Sequence, residues 1–199
     1  MLNDILRIIN IIKGMQKKKP SIYEANLRDT KPTSLSLFSY LFAELIFYLN
    51  CRDETRTMQQ KLNEVGFPIG QKILEVCAFK EKSARFTKIE SILLFIHNKV
   101  WKLLFGEKAD ELDKSLEEDD EYRIYDSKAI INRYLATKTE QVNCGDFVAG
   151  IIEGILYAAD FPAKVDTSIM EEETKNGKMK KVVYIIKFAQ HVMKREEAK

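Results

Sequence analysis

The sequence has few of the residues on which catalytic and metal sites usually depend. Among its 199 residues are two histidines and three cysteines, and none of them stands at a metal-ligand or nucleophile spacing. An odd, sparse set of cysteines is typical of free thiols in a reducing compartment, so we expect a cytosolic chain without disulfides. The formal net charge of +2 argues against the clustered basic surface of a nucleic-acid-binding domain. We therefore predict neither a metal site nor a nucleic-acid partner.

Cofactor and nucleophile motifs are equally scarce. The stretch "GDFVAG" has two glycines but lacks the Gly-Lys-Ser/Thr ending of a phosphate loop, so no cofactor is expected. Cys144 lies where a helix is predicted to begin, and a helix dipole lowers a thiol pKa, but no histidine signature accompanies it. A packed thiol is the preferred interpretation, and His97 is interpreted as an ordinary helix residue. We expect no catalytic residues and no enzyme acting alone.

Helical patterns dominate the first half of the chain and strand patterns the second, which is typical of the α+β class. We predict a single domain, an antiparallel four-stranded sheet packed against several helices. The acidic run 107–121, with nine acidic and two basic residues, is predicted to be a solvated loop. Strands are predicted over 121–126 and 129–136 and, after a further helix, in a hairpin over 163–188 around an Asn176-Gly177 turn.

Helix boundaries follow from capping and breaking residues. One helix is predicted to stop at Gly66, and the next to restart with Pro68 near its first turn, where proline is tolerated. A long helix is expected over 86–106, with Thr87 as its cap and Gly106 as its end.

A further helix is predicted over 143–160, capped by Asn143. Asp146 stands three residues after the cap, as in a variant of the capping box. Small residues recur every four positions on this helix, which lets another backbone approach closely. They are Gly150, Gly154 and Ala158.

The first twenty residues differ from the rest and are predicted to be an extension, with the domain over 21–199. An apolar run over 5–12 is followed by lysines, whereas a secretory signal places its positive charges first. Two interpretations stay open: a tail or docked amphipathic helix, and an anchor at a membrane surface.

The helix over 34–50 is apolar on nearly every side, which is unusual for a surface helix. Placing residues 100° apart separates two faces. One is a continuous apolar stripe suited to the core: Leu35, Phe38, Phe42, Leu45, Ile46 and Leu49. The opposite side, here named the outer face, consists of Leu37, Tyr40, Leu41, Glu44, Phe47 and Tyr48. Tyrosines beside aliphatic residues are typical of an interface core, so a partner is predicted there; the alternative is coverage by other helices of the chain.

Three motifs resemble one family. "SIYEANL" followed by "SLSLFSYLFAEL", "VWKLLFGEKADELD" and "NCGDFVAGIIEGILYAADFPAKV" are similar to the transport protein particle (TRAPP) component family, in the branch of its fifth small subunit. Order and spacing agree over about 21–190. The resemblance implies the TRAPP small-subunit α/β plait, with the first helices making dimers between family members.

The resemblance also implies a function. The expected role is a non-catalytic scaffold in a vesicle-tethering complex that promotes nucleotide exchange on a Rab-type GTPase during transport from the endoplasmic reticulum to the Golgi. The implied partners are an acylated paralogue, a small longin-like subunit and, through the complex, the GTPase. The implied location is cytoplasmic and peripheral at Golgi and endoplasmic reticulum membranes, with membrane association through the complex.

One position departs from the acylated paralogue. Counting back about twenty residues from Gly106, where that paralogue carries its lipid-attachment cysteine, gives Phe86. We therefore expect no acylation, and a phenyl group at the mouth of the equivalent tunnel. An alternative function remains open, because bacterial domains resembling this fold bind small hydrophobic ligands.

Overall fold

The computed structural model describes residues 34–52, 55–83, 85–116, 118–127, 129, 143–174 and 177–198. The helical elements are α1 (Leu35–Arg52), α2 (Met58–Glu81), α3 (Ile89–Phe95), a π-helical segment (Ile96–Val100), α4 (Trp101–Phe105), α5 (Gly145–Ala158) and α6 (Gln190–Glu197). The strands are β1 (Glu111–Lys114), β2 (Glu121–Asp126), β3 (Ala163–Thr174) and β4 (Gly177–Phe188). The predicted domain boundary at residue 20 lies outside the described residues.

The strands form one antiparallel sheet in the order β1-β2-β4-β3, which confirms the predicted fold class. Strand β2 coincides with the predicted strand over 121–126, and β3 and β4 form the predicted hairpin. Gly177 belongs to β4, where it pairs with Thr174, so the second residue of the predicted turn lies in a strand; Asn176 lies outside the described residues. The predicted strand over 129–136 lies outside the described residues except for Ala129.

The acidic run contains strand β1, so the prediction of a loop is wrong over those residues. Leu112, the strand's apolar residue, pairs with Ile124 of β2 and packs against the core. Glu111 and Asp113 on either side of it are exposed, as the alternation of side chains in a strand requires. This segment is a strand because it pairs with β2, and four residues of sequence do not indicate such pairing.

Helices α2 and α5 pack with their backbones in close contact. A Cβ atom added at any of four glycines would come within 3.0 Å of a backbone carbonyl of the other helix: Gly66, Gly70, Gly150 and Gly154. The predicted close approach at Gly150 and Gly154 is confirmed, whereas Ala158 is exposed. Glycine is required here because no other residue leaves room for the neighbouring backbone.

Helix α2 is continuous through Gly66 and Pro68, so the predicted break is wrong. Proline inside a helix costs about 3 kcal/mol, but Pro68 is exposed and so does not disturb the packed face. Gly66 lies at the contact with α5. The local signals for a break are therefore outweighed by packing against a distant helix.

The predicted helix over 86–106 contains a π-helical segment between α3 and α4. Lys88, and not the predicted Thr87, is the N-cap of α3, and its side chain makes no capping bond. Gly106, with φ of 85°, ends α4 as predicted. The buried residues of this region are Ile89, Ile92, Leu93, Phe95, Ile96, His97, Val100 and Trp101.

The core is contributed mainly by the sheet, α5 and the α3–α4 region, with Phe42 of α1, Leu62 of α2 and Val192 of α6. Its large side chains with no more than 2% exposure include Trp101, Ile152, Ile155, Leu156, Phe161 and Tyr184. Helix α6 follows β4 and was not predicted from the sequence. Val192 of α6 is fully buried, and this contact with the core explains why the segment is ordered as a helix.

Candidate partner interface on the first helix

Helix α1 is attached to the domain by its inner stripe. Phe42 is buried, stacks on Phe38 at 5.6 Å between ring centroids and meets Phe147 of α5 edge-on at 5.2 Å. The half-buried Leu45, Ile46 and Leu49 also pack against the core. Leu35, the first residue of the helix, is 40% exposed and not part of the core, so the predicted core stripe begins one turn later, at Phe38.

The outer face of α1 is exposed to solvent in the described part of the chain. Its five apolar and aromatic side chains, Leu37, Tyr40, Leu41, Phe47 and Tyr48, are 50–77% exposed, and Glu44 is exposed beside them. The described residues therefore do not provide the alternative coverage considered from the sequence. Contiguous exposed apolar surface of this kind marks an interaction site.

A second exposed apolar stripe lies on α2 and was missed by sequence reasoning. Ile69, Val76 and Phe79 are exposed. Val76 and Phe79 follow Ile69 by seven and ten residues, which places all three on one side of a helix. The spacing is present in the sequence, within the helix predicted to restart at Pro68. The stripe gives α2, like α1, an uncovered apolar side in the described residues.

The groups considered for catalysis are buried. Cys144 is 1% exposed, and burial raises the pKa of its thiol to about 11, with the Asp146 carboxylate adding to the rise. The thiolate that a nucleophile requires is therefore scarce at neutral pH. His97 is buried with Nδ1 3.1 Å from Oδ1 of the adjacent Asn98, and burial also raises the pKa of Cys77.

The start of α5 uses its polar residues differently from the prediction. The N-cap is Cys144, but Oδ1 of Asn143 accepts a hydrogen bond from the Gly145 amide at 3.0 Å, so Asn143 does support this end. Asp146 accepts instead from the Thr167 hydroxyl of β3. The predicted capping box is therefore wrong, because the carboxylate faces the sheet.

Phe86 lies half-buried beside the end of α5. Its ring centroid is 4.8 Å from that of Phe95, and it lines a cavity of about 210 Å³ together with Phe161. The same cavity is lined by Asp160 and Arg195, whose guanidinium Nη1 is 3.0 Å from the carboxylate. The position predicted for a tunnel mouth is thus held by two aromatic rings with an ion pair beside them.

Metal clusters and membrane-spanning helices are absent from the part of the chain that the structure describes. No three histidine, cysteine or acidic side chains there are placed to hold a metal ion. Within the same residues, no helix combines the length and the apolar character needed to cross a bilayer.

Comparison with solved structures identifies the fold. The chain is similar to trafficking protein particle complex subunit 3 from Naegleria fowleri, whose crystal structure contains covalently bound palmitic acid. The TM-score is 0.60 with 14% sequence identity, over 77% of this chain and 95% of that one. The α+β fold is therefore one that a trafficking-complex subunit adopts.

Sequence comparisons then give the family. The transport protein particle (TRAPP) component model matches residues 38–189. The chain is 43% identical to trafficking protein particle complex subunit 5 of Dictyostelium discoideum, over 81% of this chain and 88% of that protein. It is 32% identical to the human subunit 5, over 91% and 94%. The chain belongs to the TRAPP component family, and the resemblance found in its motifs is confirmed.

Proposed function

We propose that this chain is a non-catalytic scaffold subunit of the TRAPP vesicle-tethering complex. In this role it helps to assemble the guanine nucleotide exchange core for a Rab-type GTPase in transport from the endoplasmic reticulum to the Golgi. The single observation that carries the proposal is the outer face of α1, which presents two tyrosines, a phenylalanine and two leucines to solvent. A face of this composition is suited to burial against another protein.

The energetics favour a permanent interface over an occasional contact. Burying one large apolar side chain contributes about 1.5–3 kcal/mol, and the outer face offers five such side chains that the described fold leaves uncovered. Glu44 lies among them and gives the interface a charge that a partner can pair, which favours one partner over others. We assign the outer face to the acylated paralogue, with the longin-like subunit at another surface.

Exchange itself is assigned to the assembled complex. A protein promotes nucleotide release only if it binds the GTPase more tightly without nucleotide than with it. Cys144 and His97, the two groups considered for catalysis, are buried. The contribution of this chain is then to hold its neighbours in the arrangement that binds the GTPase, at membranes reached through the complex.

The test is reconstitution of the complex with a cognate Rab-type GTPase and measurement of fluorescent-nucleotide release. Complex containing this chain is expected to accelerate release, and complex assembled with Leu41→Glu is expected to lose the subunit and the acceleration together. Leu116→Glu is the matched control, because Leu116 is fully exposed outside the outer face. Normal exchange by a complex that lacks this chain would contradict the scaffold role.

The alternative function is binding of a small hydrophobic ligand, and the cavity beside Phe86 is the observation that bears on it. Phe86 and Phe161 give that cavity an apolar wall, and the Asp160–Arg195 ion pair gives it a charged one. Native mass spectrometry of the purified chain separates the two functions. A stoichiometric lipid retained by the chain would support the ligand-binding module.

A further inference from the structure

A groove lies between helix α2 and strand β3, with α5 as its floor. It consists of two adjoining cavities, of about 430 and 640 Å³, which share Glu153 and Lys164. Helix α5 contributes Asp146, Glu153 and Tyr157, which are seven and four residues apart and so lie on one side of the helix. The groove belongs to a different surface from the outer face, since no residue of α1 lines it.

The groove follows the edge of the sheet. Four consecutive residues of β3, 164–167, line the larger cavity. Successive side chains of a strand point to opposite faces, so one cavity can touch all four only from the strand's edge. The strand order agrees, because among the described strands β3 has a neighbour on one side only. An extended chain in the groove can therefore reach main-chain groups of β3.

The two ends of the groove differ in chemistry. The smaller cavity is aromatic, with Phe67 and Tyr157 at 5.4 Å between ring centroids. The larger cavity is acidic: four carboxylates line it against the single ammonium of Lys164. These carboxylates are Glu64, Asp146, Glu153 and Asp166. Arg56 pairs with Glu64, and Nζ of Lys164 lies 3.7 Å from Oδ1 of Asp166, so the excess negative charge of the acidic end comes from Asp146 and Glu153.

Asp146 shows that this charge is not fully compensated. The residue is 7% exposed, and its Oδ1 atom accepts from the Thr167 hydroxyl, which in turn accepts from Nδ2 of Asn143 at 2.8 Å. Oδ2 of Asp146 has no hydrogen-bond donor in the described part of the protein. A buried carboxylate oxygen without a donor is unfavourable. Asp146 lines the cavity, so a positive charge bound in the groove would lie close to this buried carboxylate and lower the cost of its burial.

We propose that this groove binds an extended segment of a partner protein that pairs with the edge of β3 and places a lysine or arginine side chain at the acidic end. A basic side chain supplies several hydrogen-bond donors and the missing positive charge together. A metal ion fits less well, because no three ligating side chains cluster among the described residues. The aromatic end then accepts an apolar residue of the same segment.

The probe is a fluorescent octapeptide of alternating valine and lysine, and the control peptide alternates valine and glutamate. The fluorescence anisotropy of each peptide is measured as the full chain is added. We expect saturable binding of the lysine peptide only. Asp166→Asn and Asp146→Asn should each weaken binding by about tenfold, the usual effect of losing a charge-assisted hydrogen bond. Asp113→Asn is the matched control, since it removes an exposed carboxylate from β1 at the opposite edge.

Two results would overturn the proposal. One is the absence of saturable binding to the wild-type chain. The other is equal weakening by Asp113→Asn, which would indicate adsorption to acidic surface in general. Circular dichroism shows whether the Asp146→Asn variant still folds. The Asp166→Asn variant gives an independent result, because the Asp166 side chain is 60% exposed and substitution of an exposed residue has little effect on folding. Leu41→Glu is expected to leave peptide binding unchanged, so a failure here is distinct from a failure of the scaffold proposal.

Discussion

Replacing Leu41 by glutamate is the sharpest perturbation of the outer face. Leu41 is 63% exposed in the chain alone, so the substitution should change the free energy of unfolding by no more than about 0.5 kcal/mol, as is usual at exposed positions. In the heterodimer the same position is expected to be desolvated. The variant should therefore separate folding from assembly.

The magnitude follows from two terms. Losing the burial of one leucine costs about 2 kcal/mol, and leaving an unpaired carboxylate in a desolvated interface costs at least about 2–3 kcal/mol more. Together they correspond to an increase of about a thousandfold in Kd. Tyr48→Glu, on the same face, should act similarly.

Isothermal titration calorimetry against the acylated paralogue measures this change. Leu116→Glu provides the control for a leucine-to-glutamate change at an exposed site, and thermal unfolding of each variant shows that the fold is retained. The reasoning would be refuted if Leu41→Glu and Tyr48→Glu both bound the paralogue with wild-type affinity.

Three further outcomes are expected. Gly154→Ala should lower the free energy of unfolding by about 1–3 kcal/mol, measured by urea denaturation, because its Cβ would meet a carbonyl of α2; an unchanged midpoint would contradict the close contact. At pH 7.5 iodoacetamide should modify exposed Cys51 much faster than Cys144, because burial raises the pKa of the Cys144 thiol to about 11. Peptide mass spectrometry measures both rates, and faster modification of Cys144 would contradict the prediction. Arg195→Ala should speed amide hydrogen exchange in α6, because Arg195 donates to both the carboxylate and the carbonyl of Asp160; unchanged exchange would show that other contacts hold the helix.

The parts of the fold that depend on local pattern were predictable. The hairpin over 163–188 and strand β2 have the alternation and turn residues of strands, and the structure places them there. The separation of α1 into a packed and an outer face also follows from helical geometry, apart from Leu35. In each case the signal lies within one element.

The errors arise where distant contacts decide local structure. Helix α2 passes through Gly66 and Pro68 because Gly66 lets α5 approach, and no local pattern contains that information. Strand β1 is short, and only pairing with β2 distinguishes it from an acidic loop. The groove was not predicted for a similar reason. Asp146 stands at a capping position in the sequence, whereas its hydrogen-bond partner Thr167 lies in another element.

The central claim is that the outer face of α1 is a permanent interface, and light scattering on a sizing column tests it most directly. The chain would be run alone and mixed in equal amounts with the acylated paralogue. The account predicts a stable one-to-one heterodimer that Leu41→Glu prevents and Leu116→Glu preserves. A well-behaved monomer, whose mass is unchanged by the paralogue, would contradict it.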